Sequence, residues 1–196
     1  MMHWDIINFL CSKFNKPRYL EIGSQRRDCF NKIQAELKHD IEPQKNKDFI
    51  QTFNMNSDKA FESMSFEQKY DVVFVDGLHN CDQVLSDVKN VSKHLDEKGF
   101  IVVHDCLPTA EFQTVREPIE QVPWTGDVWK AQAWLVKNFK NVWTIPTDWG
   151  CGIINGPLEY DIVTLEELNK LTWNDFLLNK NDLLRIISWT EFWVKL

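Results

Sequence analysis

Glycine is scarce, seven residues in 196. The dinucleotide fingerprint that needs several glycines in one turn is missing, because Gln25 and Arg27 stand where further glycines would be. The five cysteines, Cys11, Cys29, Cys81, Cys106 and Cys151, are odd in number, widely spaced and free of any C-x-x-C pair. No cysteine pair therefore suggests a cysteine zinc site or a dithiol redox motif, and a reduced, cytoplasmic compartment is the simplest reading. Positive charge is in deficit: 22 Lys and Arg against 29 Asp and Glu leave a net charge of -7, which argues against a nucleic-acid backbone or an anionic membrane as the main partner. No apolar run is long enough to span a bilayer. The opening MMHWDIINFLCSKFNK carries an acid in its only apolar stretch and no small-residue cleavage site, so it does not read as a signal peptide. Internal repeats and low-complexity linkers are also absent. The expected partner is a small molecule.

What is present suits one domain spanning residues 1–196, with 43% hydrophobic and 26% charged residues, enough to bury a large core without disulfides. Nine tryptophans, concentrated from Trp124 onward, need a core, a ligand pocket or a subunit interface to hold them. A homo-oligomer is therefore open.

The most informative stretch runs from Tyr70 to Pro108, YDVVFVDGLHNCDQVLSDVKNVSKHLDEKGFIVVHDCLP. Val72 to Val75 is an unbroken apolar run of the kind buried on both faces of a parallel sheet. From Asn80 to Leu95 the period becomes helical, with Val84, Val88, Val91 and Leu95 on one stripe, and Lys98-Gly99 stops the helix. Phe100 to Val103 is a second buried strand. A right-handed crossover of this length makes the two strands parallel, so their carboxyl ends share one edge. That edge carries Asp76, Gly77, His79, His104 and Asp105, where open α/β sheets keep their ligand crevice.

Elsewhere, Trp4 to Phe14 gives a packing helix that ends at Lys16-Pro17. Arg18 to Ser24 predicts a strand running into a glycine turn, with Phe30, Ile33 and Leu37 on the inner face of a following helix whose N-terminus would offer free N–H groups. The segment His39 to Pro43 is a weakly marked strand, and Glu42 stands about 20 residues after the glycine turn, the spacing at which nucleotide folds bind a ribose hydroxyl. A solvated loop acid is the competing reading. Phe49 to Phe53 predicts a third strand, and Ser57-Asp58 caps a helix bearing Phe61 and Met64. Pro108 to Pro123 reads as a lid or binding loop. Asn141 to Thr147 and Gly150 to Asn155, joined at Asp148-Trp149, predict an antiparallel hairpin. A helical tail opens at the capping box Thr164 to Glu167.

Five parallel strands with helices between them and a terminal hairpin resemble the class I S-adenosylmethionine-dependent methyltransferases. YLEIGS is similar to their first motif, Glu42-Pro43 to the second acidic position, and Ser57-Asp58 to the residues after the third strand. YDVVFVDGLH, GFIVVHDC and WTGDVWKA resemble a bacterial branch of that family, marked by D-G-x-H, H-D-C and G-D-V-W-K-A, across nearly the whole chain. The fold implied is a single-domain α/β, Rossmann-like one, a mostly parallel twisted sheet with a C-terminal antiparallel hairpin and a helical tail. The resemblance implies S-adenosylmethionine as cofactor, with Gly23 and Ser24 near its methionyl part, Glu21 below them, Glu42 on the ribose, Ser57 and Asp58 beside the adenine, and Asp76 at the sulfonium.

Methyl transfer to oxygen needs an aligned acceptor and a base, for which either His79 or His104 serves, with Asp105 beside them. A lone histidine is more often structural; two beside two aspartates shift the balance toward catalysis. Asp76 and Asp105 are also natural ligands for magnesium, so a metal stays open. Trp124, Trp129 and Trp149 would wall the acceptor site or pack the core. The leading expectation is O-methylation of a sugar or other small hydroxylated metabolite. A metal-dependent hydrolase and a non-catalytic binding module remain alternatives.

Overall fold

A computed structural model describes residues 1–196. Its frame is a six-stranded sheet in the order β2-β1-β3-β4-β6-β5, built from β1 (Arg18–Ile22), β2 (Leu37–Ile41), β3 (Tyr70–Val75), β4 (Leu95–Val103), β5 (Val142–Ile145) and β6 (Cys151–Asn155). β2, β1, β3 and β4 are parallel, and β6 and β5 run antiparallel beside β4. The helices are α1 (His3–Cys11), α2 (Ser57–Ser63), α3 (Cys81–His94), α4 (Val128–Asn138), α5 (Leu165–Leu168), α6 (Trp173–Leu183) and α7 (Trp189–Lys195).

Every residue of β3 is buried, as its unbroken apolar run requires, and its alternate side chains serve two cores. On one face Leu20, Ile22, Val73, Val75, Ile101 and Val103 pack with α3 and α4. On the other Tyr19, Val72, Phe74, Phe100 and Val102 pack with α1 and Phe192 of α7. A smaller third cluster joins Trp129 and Ala133 of α4 to Phe176 and Leu184.

Three expectations are corrected. The parallel strands number four, not five: of the segment 49–53 only Phe53 joins the sheet, through a single bridge to Ile41. Ile50 there is 91% exposed, and the Asp40 carboxylate takes the Thr52 N–H at 2.8 Å, so the segment has neither the apolar face nor the free backbone that a strand needs. The helix expected through Phe30 and Leu37 shrinks to one 3₁₀ turn at Phe30–Lys32, and Leu37 begins β2. Gln25 and Arg27, with φ of 42° and 61°, stand in the left-handed region just before it and prevent a helix from starting at the glycine turn. The cap of α2 is Asn56, whose side chain accepts from Lys59 N at 3.1 Å; Ser57 and Asp58 are already helical.

Candidate active site

The loops leaving β1, β3 and β4 lie side by side and shape two clefts. The larger, about 690 Å³, is lined by Gly23, Gln25, Glu42, Ser57, Asp58 and Asp76 among others. The smaller, about 300 Å³, is ringed by Asp76, His79, His104, Asp105, Trp124 and Trp149. Gln25 and Asp76 border both, so the clefts meet at one point.

Gly23 makes that meeting possible. It has φ 87°, and a Cβ there would fall 2.1 Å from the Asp76 carbonyl oxygen, so only glycine lets β1's turn close onto the loop after β3. Two residues on, Gln25 N–H donates to Glu42 Oε2 at 2.9 Å while Gln44 N–H donates to Oε1 at 2.8 Å. Glu42 is only 5% exposed yet lines the larger cleft. A carboxylate has about four acceptor sites, so two remain for a ligand.

Two expected cofactor contacts face elsewhere. Ser24 donates its hydroxyl to Asp40 at 2.8 Å, and Glu21 accepts from Tyr19 Oη at 2.5 Å beneath the sheet; neither lines a cleft. Burial pushes Glu21 up to about 7 although the Tyr19 hydroxyl favours its charge. Asp40 was missed by sequence reasoning. It is fully buried, holds Arg27 through two contacts of 2.9 Å, and stays below the usual carboxylate range because Arg27, Thr52 and Ser24 outweigh its burial. Asp87 of α3 was missed as well: it lines the larger cleft, is 1% exposed, and is pushed up to about 6 by burial. Gln83 donates to it at 3.1 Å.

The smaller cleft holds the dense chemistry. His79 Nδ1 lies 3.2 Å from Asp105 Oδ2 and its Nε2 3.5 Å from Asp76 Oδ1. His104 places Nδ1 3.3 Å from Asp76 Oδ1 and 3.6 Å from Asp105 Oδ2. Two imidazoles thus interleave with two carboxylates. Burial disfavours charge on His104, but its hydrogen bonds to the Asp105 and Asp76 carboxylates outweigh that and push it up to about 11. His79 is raised for the same reason, with burial opposing and Asp76 and Asp105 prevailing. Asp76 is held well below the ordinary carboxylate range, because both histidines overcome its desolvation. Asp105 sits at φ 59°, in the left-handed region, two residues after the end of β4.

Beyond His104 and Asp105, the loop between β4 and α4 borders this cleft only with its end, at Pro123, Trp124 and Thr125. Trp124 stacks on His79 with ring centroids 4.8 Å apart and planes 19° from parallel. Asp127 N–H donates to the His79 carbonyl oxygen at 3.1 Å, and Gly126, φ 57°, leaves that oxygen no room for a Cβ. Arg116 latches the loop to the start of α3, bonding Asp127 at 3.0 Å and Asp82 at 2.7 Å. Trp149 lines the cleft beside Trp124, whereas Trp129 is 1% exposed and packs on Phe176 in the core. Sequence reasoning gave no role to Arg116 or Asp127, although the G-D-V-W-K-A segment marks the second.

Asp76, His79 and Asp105 each offer a ligand atom, all within 4.8 Å of one another. Magnesium prefers oxygen donors, so the two carboxylates fit it and the imidazole fits less well.

Residues 13–106 match the model of a family described as a methyltransferase domain. No curated protein sequence matches the chain. Among solved structures it is similar to the O-methyltransferase TomG from Streptomyces achromogenes in complex with S-adenosylmethionine, with TM-score 0.56, 11% identity and 80% of each chain covered. It is also similar to an O-methyltransferase from Bacillus cereus in complex with S-adenosylhomocysteine, with TM-score 0.53, 11% identity and 80% of each chain covered. MycE methyltransferase from the mycinamycin biosynthetic pathway, in complex with magnesium and S-adenosylhomocysteine, aligns at TM-score 0.52 and 13% identity over 83% of this chain and 51% of that one. The fold is the Rossmann-like methyltransferase fold, and no helix is long and apolar enough to cross a membrane.

Proposed function

We propose that the protein transfers a methyl group from S-adenosylmethionine to an oxygen of a small hydroxylated acceptor such as a sugar. One observation carries this reading: a long polar cleft with a buried, half-satisfied carboxylate, Glu42, meets a short cleft of two histidines and two aspartates at Asp76. The long cleft takes the cofactor, with its ribose diol on Glu42, its adenine beside Ser57 and Asp58, and its sulfonium toward Asp76. The short cleft takes the acceptor between Trp124 and Trp149, whose ring faces suit a sugar.

The acceptor O–H gives its proton to a histidine as the O–CH₃ bond forms and the S–CH₃ bond breaks, leaving the thioether product S-adenosylhomocysteine. His79 is the better base. The Nδ1 of His104 lies between two carboxylates and its Nε2 is buried, so it serves as a fixed positive neighbour, with Asp105 orienting both rings. Where a magnesium ion is used, Asp76 and Asp105 hold it and it would orient the acceptor oxygen. Small-molecule chemistry agrees with the net charge of -7, and no nucleic acid is needed as partner.

Calorimetry with S-adenosylmethionine and S-adenosylhomocysteine tests the reading: both should bind and raise the melting temperature, while NAD and ATP do neither. Glu42→Ala should weaken cofactor binding by about 1–3 kcal/mol. Absence of heat and of any thermal shift at saturating cofactor would end the proposal.

A further inference from the structure

His104 has a second side that methyl transfer leaves unused. Its Nε2 is buried without a hydrogen-bond partner, and 4.0 Å from it lies Asp148 Oδ2, in the turn between β5 and β6. The same oxygen meets His3 Nδ1 at 2.5 Å and accepts from the His3 backbone N–H at 2.9 Å. His3, His104 and Asp148 each offer a ligand atom, and these lie within 4.8 Å of one another. His3 stacks flat on Phe74, with centroids 5.1 Å apart and planes 13° from parallel, and meets His104 edge-on at 4.7 Å. Two of the three residues fall outside the span 13–106 matched to the methyltransferase-domain family.

We propose that His3, His104 and Asp148 form a site for a zinc-like divalent ion, separate from the Asp76, His79 and Asp105 group, that clasps the start of α1 to the β5–β6 turn. The donor set, two imidazole nitrogens and one carboxylate oxygen, suits zinc, cobalt or nickel and suits magnesium poorly. A histidine that binds metal commonly gives its other ring N–H to a carboxylate, and His104 offers Nδ1 to Asp76 and Asp105 in that way. That bond fixes the ring, so Nε2 is aimed at the ion before it arrives. Ligand bonds of about 2.0–2.2 Å in a tetrahedron put neighbouring donors roughly 3.3 Å apart. The His104 to Asp148 gap of 4.0 Å must close slightly and the His3 to Asp148 contact of 2.5 Å must open. Both are side-chain adjustments. The ion takes the place of a proton on Nε2, and water completes its shell. The site depends on neither the cofactor nor the acceptor.

Titration of the tag-free 196-residue chain with cobalt chloride tests this. One cobalt per chain with the visible absorption of a tetrahedral ion is expected, displaced by equimolar zinc and unaffected by millimolar magnesium. His3→Ala and Asp148→Asn should each weaken cobalt binding at least tenfold, while His79→Ala, which belongs to the neighbouring group, should leave it unchanged. His3 stands at the first position of α1, so its replacement spares the fold, which far-UV circular dichroism checks. No tetrahedral cobalt spectrum, or binding that survives His3→Ala and disappears with His79→Ala, overturns the proposal.

Discussion

His79 and His104 differ in what each ring nitrogen can reach, and that difference decides their chemistry. His79 is raised above its ordinary value by Asp76 and Asp105, so a base at this position gains its lone pair only as pH rises. Turnover should therefore fall on the acid side with an apparent pKa above 6.5, the ordinary histidine value. His79→Ala should cost about 10²–10⁴ in kcat with cofactor affinity nearly unchanged. A full rate in that variant would pass the proton to another group. In the metal-free protein, against the cost of burial, Asp105 and Asp76 push His104 up to about 11, above the unfolded value, so its contribution to stability is complete below pH 6.5 and disappears as pH rises through 11. Urea unfolding of wild type and His104→Gln should show a gap that narrows between pH 6 and pH 10. Both histidines were legible in the sequence because each follows a strand within a few residues. His3 and Asp148 were not, since 145 positions separate them and nothing local ties one to the other.

Among the elements, those with dense apolar signals were the ones the sequence specified. The run Val72–Val75 and the hairpin lie where periodicity put them, and so does the α3 stripe through Val91; Leu95, expected on that stripe, instead opens β4, which also takes in Lys98-Gly99, expected to stop the helix. β2 starts on Leu37, 40% exposed, and the segment around Ile50 has almost no buried side chain, so neither could be read from hydrophobic pattern. Buried polar supports are invisible for the same reason: Asp40 and Arg27 find each other only after the turn at Gly23 has formed. Arg185 shows how much one such group can hold. Its guanidinium donates to the carbonyls of Val136, Phe139, Lys140 and Val142, finishing α4 and joining it to β5. Arg185→Ala should lower the unfolding free energy by about 1–3 kcal/mol through the carbonyls left unpaired. Arg185→Lys should recover only part, because a single ammonium cannot serve all four. Equal stability of the three proteins in urea would show that water replaces the guanidinium without loss.

For the molecule as a whole, both clefts depend on a sheet whose order is not the order of the chain. β1 pairs with β3 across β2's position in sequence, and β4 waits for β6, more than 40 residues on. Such non-local pairing makes folding slow compared with helical proteins of the same size. The contact between His3 and Asp148, 145 residues apart, closes most of the chain, with both clefts, into a loop. A ribosome adding about 5–20 residues per second would synthesise Asp148 roughly 7–29 s after His3. During that interval α1 has emerged without the turn it will grip, and β4 presents an unpaired edge to its surroundings. The histidine-aspartate cleft, walled by Trp149, is therefore a late product of synthesis, whereas the larger cleft is lined entirely by residues 22–87; a nascent chain should gain cofactor binding first and methyl transfer only once the hairpin has left the exit tunnel.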